Sequence, residues 1–591
     1  MDDSRFNTGK RIPYGMMNFA DIRDEDCYYV DKTQFIQEIE RANKFFFFIR
    51  PRRFGKSLTL SMLKRYYDVN DAPNFEKWFG DLYIGQHPTP ERNQYLVISL
   101  NFSLVTADLD TYPQSLDSVC NTAFSYFCDV YRQRLPQGAA ERVNACKGCI
   151  AQLDQLCKEC MTTGQNIYLF IDEYDHFTNT ILANPTIEDR YRNETHGEGY
   201  LRKLFDAIKA GTETSIKRVF VTGVSPVTMD ELTSGFNIGS NYSLDPRFNE
   251  MTGFTEQEVR DMLAYYSTTK HFNHTIDELI AAMKPWYDNY CFARQAYGRV
   301  TVYNSCMVLY FVDQYIANLC QLPDNMVEDN IRVDYNKLRM LIRRDKEFAH
   351  DASVIQQLVT QGFVTGELKK GFPAKLIATP DNFVSLLYYF GMITFGGTYR
   401  GKTKFVITNE TVREQLFAYL LSTYRENDLT FDELTKDNMA ADMAYDGKYK
   451  PYFQYIADCI KRFSSQRDKQ KGEYFVHGFT LAMTSQNRFY RPVSELDNQA
   501  GYADIFLLPL TDIYKDMEHS YVVELKYVKA GTADKEVEER CREAEAQVAR
   551  YADTEKVRLA ARGTRLHKLV VVYRGVDMVV CKEVATGCSE L

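Results

Sequence analysis

The feature that most constrains the fold is an apolar run that leads directly into a loop ending in Gly-Lys-Ser. Lys44 to Arg50 is predicted to be a buried strand, and a helix is predicted from about Lys56 to Tyr67. A glycine lets the backbone approach a phosphate, a lysine can reach the outer phosphates, and a hydroxyl can bind Mg²⁺. The N-terminus of the following helix adds the positive end of its dipole. This order of strand, loop and helix predicts a phosphate-binding loop.

The loop departs in one place from the usual pattern G-x-x-x-x-G-K-[ST], because Arg50 stands where that pattern has its first glycine. Two hypotheses stay open: a working loop, and a degenerate one that binds nucleotide but scarcely hydrolyses it. The residues predicted to contact nucleotide are Arg50, Pro51, Arg52, Arg53, Phe54, Gly55, Lys56, Ser57, Leu58, Asp172 and Thr222.

A second apolar run, Ile167 to Ile171, ends in two acids that could complete a hydrolytic site. With Ser57, Asp172 is predicted to hold Mg²⁺, and Glu173 to orient or deprotonate the attacking water. The next apolar run, Arg218 to Thr222, is followed by Ser225, and a polar group there could sense the γ-phosphate. The plain alternatives are strands that end in solvated acids and in an ordinary threonine.

The order of apolar runs and helical patterns predicts the domain organisation. A strand at Gln94 to Phe102 and helices at Pro113 to Arg134 and Glu141 to Thr162 complete an alternating pattern, which is typical of a parallel α/β sheet. From about Thr255 the chain is mostly helical, and Leu386 to Ile407 predicts a helix end and a hairpin with a Gly-Gly turn, as in a winged helix. The predicted domains are 1–254, 255–445 and 446–591.

Four of the cysteines form two C-x-x-C pairs and therefore need a test for zinc. Cys146, Cys149, Cys157 and Cys160 recur at helical spacing within the stretch predicted as one helix. On a straight helix the outer two would lie about 21 Å apart, too far for one tetrahedral zinc with Zn–S bonds of about 2.3 Å. Buried, reduced thiols are the preferred interpretation, with a metal site as the alternative.

Composition limits the remaining classes. The formal net charge of −9 argues against a generally basic, DNA-coating surface, although it leaves room for a local basic groove. The polar start of the chain has no apolar signal region, and the apolar run Phe45 to Ile49 is far shorter than the ~20 residues that span a bilayer. We therefore expect a cytoplasmic protein without a membrane partner.

Four stretches together resemble a known family: RIPYGMMNFADIRDEDCYYVDKTQFIQEIE, FFFFIRPRRFGKSLTLSMLKRYY, IYLFIDEYDHF and RVFVTGVSPV. They are similar to the AAA-ATPase-like family of bacterial proteins, in which a P-loop ATPase domain is followed by a PD-(D/E)XK nuclease-superfamily domain. The resemblance implies an α/β chain with a P-loop NTPase sheet, a helical and winged-helix-like middle region and a nuclease-like α/β domain. It also implies ATP and Mg²⁺ as ligands, DNA as a partner, and an arginine at the position of Arg50.

The C-terminal region carries a second set of residues suited to metal-dependent phosphodiester cleavage. Glu524 and Lys526 are two residues apart on a predicted strand, so both point to one face. Asp504 and Glu524 could ligate Mg²⁺, and Lys526 could orient water or stabilise negative charge. These three residues resemble the PD-(D/E)XK pattern. Glu473 could add a carboxylate and Gln547 could position water, whereas His477 is predicted to be structural.

Several alternatives stay open at this point. The chain could be an ATP-regulated nuclease acting in defence, mobile-element or repair processes. It could instead be a nucleotide-dependent switch or scaffold whose nuclease-like fold binds DNA or a protein partner without cleaving it. Arg247 and Arg260 could act as sensor arginines, although solvated surface arginines are the preferred interpretation. Many ATPases of this broad class assemble to complete their sites, so a homo-oligomer also stays open.

Overall fold

The computed structural model divides the chain into two compact units. One unit is Met1–Met340 with Thr365–Glu410, and the other is Leu341–Val364 with Thr411–Leu591. Within these units the structure describes residues 9–106, 111–176, 199–227, 238–323, 325–328, 354–373, 376–377, 379–425, 432–466, 472–485, 487–493, 505–511 and 514–584. No helix among them is both long enough and apolar enough to cross a bilayer. The division into three domains stays a prediction, since helices of the predicted middle region occur in both units.

Strands and helices alternate along much of the chain. The strands are β1 (Phe45–Ile49), β2 (Leu96–Asn101), β3 (Ile167–Asp172), β4 (Ile216–Gly223), β5 (Ser240–Asn241), β6 (Phe363–Thr365), β7 (Ile393–Tyr399), β8 (Lys402–Ile407), β9 (Tyr490–Val493), β10 (Ile505–Pro509), β11 (His519–Val528), β12 (Arg565–Arg574) and β13 (Asp577–Glu583). The α-helices are α1 (Phe19–Asp24), α2 (Phe35–Arg41), α3 (Lys56–Tyr67), α4 (Phe75–Phe79), α5 (Tyr83–Gln86), α6 (Tyr112–Val130), α7 (Ala139–Ala145), α8 (Cys149–Thr162), α9 (Tyr200–Thr212), α10 (Glu256–Thr269), α11 (Ile276–Tyr287), α12 (Ser305–Ala317), α13 (Val354–Gln361), α14 (Pro380–Tyr389), α15 (Glu410–Arg425), α16 (Glu433–Asp446), α17 (Tyr449–Gln466), α18 (Glu473–Ser485), α19 (Asp534–Ala552) and α20 (Glu555–Ala560).

The first unit is built on a five-stranded parallel sheet in the order β2-β3-β4-β1-β5. Its central strands are buried on both faces, as expected for a parallel sheet covered by helices on both sides. Phe46, Phe48 and Phe220 pack in one aromatic core with Tyr66 of α3. The predicted parallel α/β sheet is confirmed, and β4 separates β1 from β3.

The helical part of the first unit packs around its own apolar core. Helices α10, α11 and α12 contribute most of that core. Helix α14 is followed by the antiparallel hairpin β7–β8, which is the helix-and-hairpin order that the sequence predicts. The predicted Gly-Gly turn is wrong. Gly396 and Gly397 lie within β7 at a register shift, and the chain reverses at Arg400 and Gly401, where both φ angles are positive.

The second unit contains a five-stranded mixed sheet in the order β13-β12-β11-β10-β9. Strands β11 and β12 pair in parallel, and the other pairs are antiparallel. Helix α19 packs against β11 and β12, and its Ala544, Val548 and Tyr551 share a core with Val522 and Val570. This unit matches the predicted α/β architecture of the C-terminal domain.

The stretch predicted as a single helix over Glu141 to Thr162 is two helices. Helix α7 ends before Cys146, and α8 begins at Cys149 after Gly148, whose φ of 80° is in a region that L side chains avoid. Cys149, Cys157 and Cys160 are buried, and all the cysteines in the described residues are free. No metal-binding group of three or more His, Cys, Asp or Glu side chains occurs there either. The burial of these three thiols agrees with their interpretation as structural thiols.

Candidate functional site

The carboxyl edge of the parallel sheet brings the two predicted metal ligands of the loop region together. Ser57 lies in the first turn of α3, after the loop that follows β1, whereas Asp172 ends β3, and β4 lies between the two strands. The Ser57 hydroxyl nevertheless donates a hydrogen bond of 2.9 Å to Oδ2 of Asp172. Burial and the neighbouring Glu173 raise the pKa of the Asp172 carboxyl. A cation bound here would relieve that unfavourable burial of negative charge.

Lys56 is held inside the loop that precedes it. Its ammonium group donates to the carbonyl of Pro51 at 3.0 Å, and the side chain is buried. Burial lowers the pKa of Lys56, while the charges of Glu173, Asp172 and Asp175 oppose that shift. A phosphate that entered the loop could take the place of the Pro51 carbonyl and would strengthen the charged form of the lysine.

The loop backbone is fixed by the helical part of the same unit. Gly55 has a φ of 83° and Arg53 a φ of 68°, so the tight turn lies immediately before α3. The carbonyl of Arg53 accepts hydrogen bonds of 3.3 Å from the amide of Cys306 and from the hydroxyl of Ser305. Phe54 is buried in a small cluster with Tyr290, Phe292 and Val302. The conformation of the loop therefore depends on residues about 250 positions away.

Arg50 is a buried tether and not a loop residue turned towards solvent. Its guanidinium donates to the carbonyls of Ile49 at 2.9 Å, Ser243 at 2.7 Å and Phe248 at 2.7 Å. It also lies 4.1 Å from the ring centroid of Phe292. Arg50 does not belong to the described non-glycine residues whose φ is positive. The backbone at this position therefore does not need a glycine. The predicted contact of Arg50 with nucleotide stays a prediction, and the three hydrogen bonds of its guanidinium go to backbone carbonyls of the protein.

Arg50→Gly, which restores the usual loop pattern, is expected to destabilise the first unit. Three buried carbonyls would lose a charged donor, so we expect a loss of at least about 3 kcal/mol in the free energy of unfolding. Urea denaturation would measure it. The matched control is Arg53→Gly, which places glycine at a positive φ and should change stability by less than about 1 kcal/mol. Equal stability of Arg50→Gly and the wild type would contradict the tether.

Two further acids, Glu173 and Asp175, follow Asp172 at the end of β3. Glu173 follows Asp172 with a φ of 54° and is partly exposed. Asp175 is fully buried and accepts hydrogen bonds from the amides of Val224 and Ser225, a contact that sequence reasoning missed. The feature of the sequence that could have indicated this contact is Gly223, because the Cβ of any other residue at that position would overlap the Asp175 carboxylate. Asp175 therefore fixes the segment that follows β4.

Thr222 lies near the end of β4, the strand between β1 and β3. It pairs with Phe48 of β1, and its hydroxyl donates to the Phe48 carbonyl at 2.8 Å. The hydroxyl of Ser225 accepts from the amide of Val227 at 3.1 Å. Both hydroxyls make contacts within the protein, and a γ-phosphate sensor at either position stays a prediction.

A cavity of about 320 Å³ opens beside the loop, which is within the lower range for small-molecule sites. Its lining includes Gly55, Lys56, Ser57 and Glu173. It also includes apolar side chains, among them Pro13, Met16, Ile22, Met251, Met262 and Leu309. A lining that combines a lysine and a hydroxyl with apolar side chains suits a ligand that has both a charged and an apolar part.

The second predicted site lies on β11. Glu524 and Lys526 point to the face that packs against α19, and the ammonium of Lys526 lies 2.8 Å from Oε1 of Glu524. Glu524 is buried, whereas Lys526 is partly exposed. The structure thus brings this pair together as predicted. Asp504 lies outside the described residues, and its role stays a prediction.

The remaining predicted residues of this site lie on the two neighbouring helices. Glu473 is exposed at the start of α18. The pKa of Tyr527, the residue after Lys526, is raised first by burial and second by the negative charge of Glu473. Gln547 is half-buried on α19, and its side-chain oxygen is buried without a hydrogen-bond partner among the described residues. His477 is buried within α18, as predicted for a structural residue.

Two family models match this chain at the regions that carry these sites. Residues 13–233 match the family described as "Predicted AAA-ATPase", and residues 471–583 match the "PD-(D/E)XK nuclease superfamily". The chain therefore carries an AAA-ATPase-like domain and a PD-(D/E)XK nuclease-superfamily domain. The resemblance read from the sequence is confirmed for both domains.

Individual relatives add little to this assignment. The protein described as "Uncharacterized protein in vnfD 5'region" from Azotobacter chroococcum mcd 1 is 29% identical over 260 residues. That match covers 43% of this chain and 45% of the relative, so it spans less than half of either protein. Two solved structures also align, each over 99% of its own length. Cdc6p from Pyrobaculum aerophilum has 12% identity over 72% of this chain with a TM-score of 0.24, and ORC2 from Aeropyrum pernix has 9% identity over 71% with a TM-score of 0.31.

The donor atoms present fit Mg²⁺ at the AAA-ATPase-like site. Mg²⁺ takes few protein ligands and keeps waters and substrate phosphates in its coordination shell. The Ser57 hydroxyl, which lines the cavity, and the Asp172 carboxylate bonded to it supply two hard oxygens. At the nuclease-superfamily domain, Glu524 supplies one buried carboxylate, and the predicted second ligand, Asp504, lies outside the described residues.

The two candidate sensor arginines are engaged in ion pairs. Arg247 lies 2.8 Å from Asp245, and Arg260 bonds to Glu256 and Asp277 at 3.1 and 2.7 Å. Each is partly exposed. This agrees with the preferred interpretation of both as surface arginines.

Proposed function

We propose that this protein binds and hydrolyses ATP with Mg²⁺ at the AAA-ATPase-like domain and cleaves DNA with Mg²⁺ at the nuclease-superfamily domain. The observation that carries the first half is the Ser57–Asp172 hydrogen bond of 2.9 Å beside the buried Lys56. Phosphoryl transfer needs positioning and charge stabilisation more than covalent chemistry from the protein. A lysine, a hydroxyl and an acid that line one cavity, with a second acid bonded to the hydroxyl, would supply both.

Each residue of the ATPase site has a distinct task in this proposal. Lys56 would leave the Pro51 carbonyl and bind the β- and γ-phosphates. Ser57 and Asp172 would hold Mg²⁺, which supplies charge neutralisation on the phosphate oxygens. Glu173 would accept the proton of the attacking water or orient it. Asp175 keeps the segment after β4 in place and touches no substrate.

At the nuclease-superfamily domain, Glu524 and Asp504 would hold Mg²⁺ and Lys526 would act on the water. Lys526 is already oriented by its 2.8 Å contact with Glu524. From there it can stabilise the negative charge that develops on the scissile phosphate. Glu473 and Gln547 would position water or the DNA backbone. This half rests on the Glu524–Lys526 pair and on the family of residues 471–583.

The wider role remains part of the proposal. Two sets of chemical residues on one chain support a nuclease whose activity depends on the nucleotide state, in defence, mobile-element or repair processes in the cytoplasm. The three domains 1–254, 255–445 and 446–591 would then be the ATPase, the connecting region and the nuclease. Several copies of the chain could assemble, as many ATPases of this broad class do.

The test is cleavage of linear, circular and single-stranded DNA by the full chain with Mg²⁺ or Mn²⁺, with and without ATP, while ATP hydrolysis is followed in the same samples. We expect metal-dependent cleavage that EDTA abolishes, and a change in its rate when ATP is added. If ATP is hydrolysed but no DNA is cut with either metal, the nuclease half is wrong and the chain is a nucleotide-dependent switch. If DNA is cut without any ATP hydrolysis, the ATPase half is wrong.

A further inference from the structure

Pro51 of the loop packs against a glycine from the helix-and-hairpin region of the same unit. The proline is buried, and its carbonyl accepts the 3.0 Å hydrogen bond from Lys56. Gly391, between α14 and β7, has a φ of 75°, and a Cβ there would lie 2.8 Å from Cγ of Pro51 and 3.0 Å from the ring of Tyr290. Contacts this close leave no void that could absorb a displacement. A movement of Pro51 therefore has to move Gly391 as well.

Gly391 is in turn bonded to a residue that lies just before α15. The hydroxyl of Thr408 donates a hydrogen bond of 2.9 Å to the carbonyl of Gly391, and the amide of Thr408 donates one of 3.2 Å to the carbonyl of Met392. Thr408 is buried, and one residue, Asn409, separates it from the first residue of α15. A first route from the loop thus runs from Pro51 through Gly391 to Thr408.

A second route begins at Phe54 of the loop and ends at the same place. The ring centroid of Phe54 lies 4.6 Å from that of Tyr290 in an edge-to-face contact. The residue before Tyr290, Asn289, donates from its side chain to the carbonyl of Thr408 at 2.8 Å. The side chain of Asn409 donates at 2.9 Å to the carbonyl of the residue before Asn289. Thr408 and Asn409, which we call the junction, are therefore connected to the loop by two separate routes.

The loop itself has to change when a phosphate binds to it. The Pro51 carbonyl is bonded to the Lys56 ammonium, which in the proposed ATP-bound state contacts the β- and γ-phosphates instead. Pro51 is buried, and a buried carbonyl that loses its donor costs about 1–3 kcal/mol. We therefore expect the backbone at Pro51 to adopt different arrangements with and without nucleotide. A ligand that favours one of two arrangements shifts the equilibrium between them.

We infer that the junction, Thr408 and Asn409, transmits the nucleotide state of the loop to helix α15. This rests on the proposed function, because it supplies the coupling between the proposed ATPase and the proposed nuclease. Helix α15 begins at Glu410, the last residue of the first unit, and its other residues belong to the second unit. A change in the first turn of a helix changes the stability of the turns that follow, because each turn is hydrogen-bonded to the next. Binding at the loop thereby affects a helix of the second unit.

The test is hydrogen–deuterium exchange of the full chain, followed by mass spectrometry, with and without a non-hydrolysable ATP analogue and Mg²⁺. We expect the analogue to slow exchange in the loop, residues 51–58, and to change the exchange rate of the first two turns of α15, residues 410–417, by about twofold or more. In the double variant Thr408→Val, Asn289→Gly the loop should respond as in the wild type, whereas α15 should no longer respond. Glycine suits position 289, where φ is 77°.

The matched control is Ser215→Ala, which removes another buried hydroxyl, one that donates to the carbonyl of Cys157 at 2.7 Å. Ser215 directly precedes β4, so it lies at the end of the sheet away from the loop. In this control α15 should respond to the analogue as in the wild type. If the double variant has a lower thermal unfolding midpoint than the wild type, Asn289→Gly alone takes its place, and the response of α15 should then be reduced.

The outcomes separate the inference from the proposed function. A response of the wild-type loop without a response of α15, or an equal response of α15 in the wild type and the double variant, would overturn the inference and leave the proposed function standing. No response at either place in the wild type would overturn the inference together with the proposed ATP site. A response of α15 that needs the junction, in a chain that cuts no DNA with Mg²⁺ or Mn²⁺, would support the inference and overturn the nuclease half alone.

Discussion

Lys56→Ala is expected to lower the rate of ATP hydrolysis by about 10²–10³-fold, the cost of removing one preorganised charge from a reacting phosphate. Lys56 lies in the wall of the cavity, and its ammonium bonds to the loop carbonyl of Pro51. Burial lowers its pKa, so the site already bears a cost for holding this charge. A bound phosphate would offset that cost, and the loss should therefore appear in turnover and in nucleotide affinity. Phosphate release at saturating ATP and fluorescent-nucleotide binding measure the two effects.

Two further variants, Lys77→Ala and Glu173→Gln, should be measured beside Lys56→Ala. Lys77→Ala removes an exposed lysine that pairs with Asp24 at 2.7 Å, and hydrolysis should be unchanged. Glu173→Gln should keep nucleotide binding while turnover falls, because its task concerns the water and not the phosphates. Hydrolysis by Lys56→Ala at the wild-type rate would sink the ATPase assignment. Hydrolysis by the wild type no faster than by Glu173→Gln would favour the degenerate loop.

Lys526→Ala is expected to lower the rate of DNA cleavage by at least about 10²–10³-fold. The lysine is partly exposed, and its truncation removes the 2.8 Å contact with Glu524. Glu524 would keep its place on β11 and its capacity to bind metal. We therefore expect the variant to bind duplex DNA with the affinity of the wild type and to cut it far more slowly, as measured on a radiolabelled or fluorescent duplex with Mg²⁺.

The matched control for this position is Lys529→Ala, an exposed lysine three residues further along the chain. Cleavage should be unchanged there. Lys526→Arg should recover part of the rate, because it restores the positive charge with a different geometry. Cleavage by Lys526→Ala equal to that of the wild type would remove Lys526 from the chemistry and turn attention to the helices α18 and α19.

The sequence predicted the strand and the helix on either side of the Gly-Lys-Ser loop accurately because their signals are local. A run of apolar residues, a loop and Lys56 at the start of a helix are all read within about 25 positions, and α3 begins and ends at the predicted residues. The pairing of Glu524 with Lys526 was predictable for the same reason. Two residues apart on a strand must share a face, whatever the rest of the fold does.

Other features were read wrongly because local patterns do not weigh competing contacts. Gly396 and Gly397 looked like a turn, but Val406 packs where a Cβ of Gly396 would stand, and the chain turns four residues later. The periodicity over Glu141 to Thr162 continued through Gly148, whose left-handed backbone divides it into two helices. In both cases the structure depends on what surrounds the glycine in the folded chain or on its backbone conformation, and neither can be read from the occurrence of a glycine in the sequence.

The sequence by itself determined which residues are candidates for the proposed chemistry, and it placed the described ones on their strands and helices. Only the tertiary structure decided that β4 separates β1 from β3, that Ser57 nevertheless meets Asp172, and that Asp175 supports the segment after β4. It also decided that Arg50 is a tether to Ser243 and Phe248. These outcomes depend on hydrogen bonds between residues about 50 to 200 positions apart. Such bonds form because each buried charge and polar group needs a partner. A local pattern along the chain does not show which distant residue will be that partner.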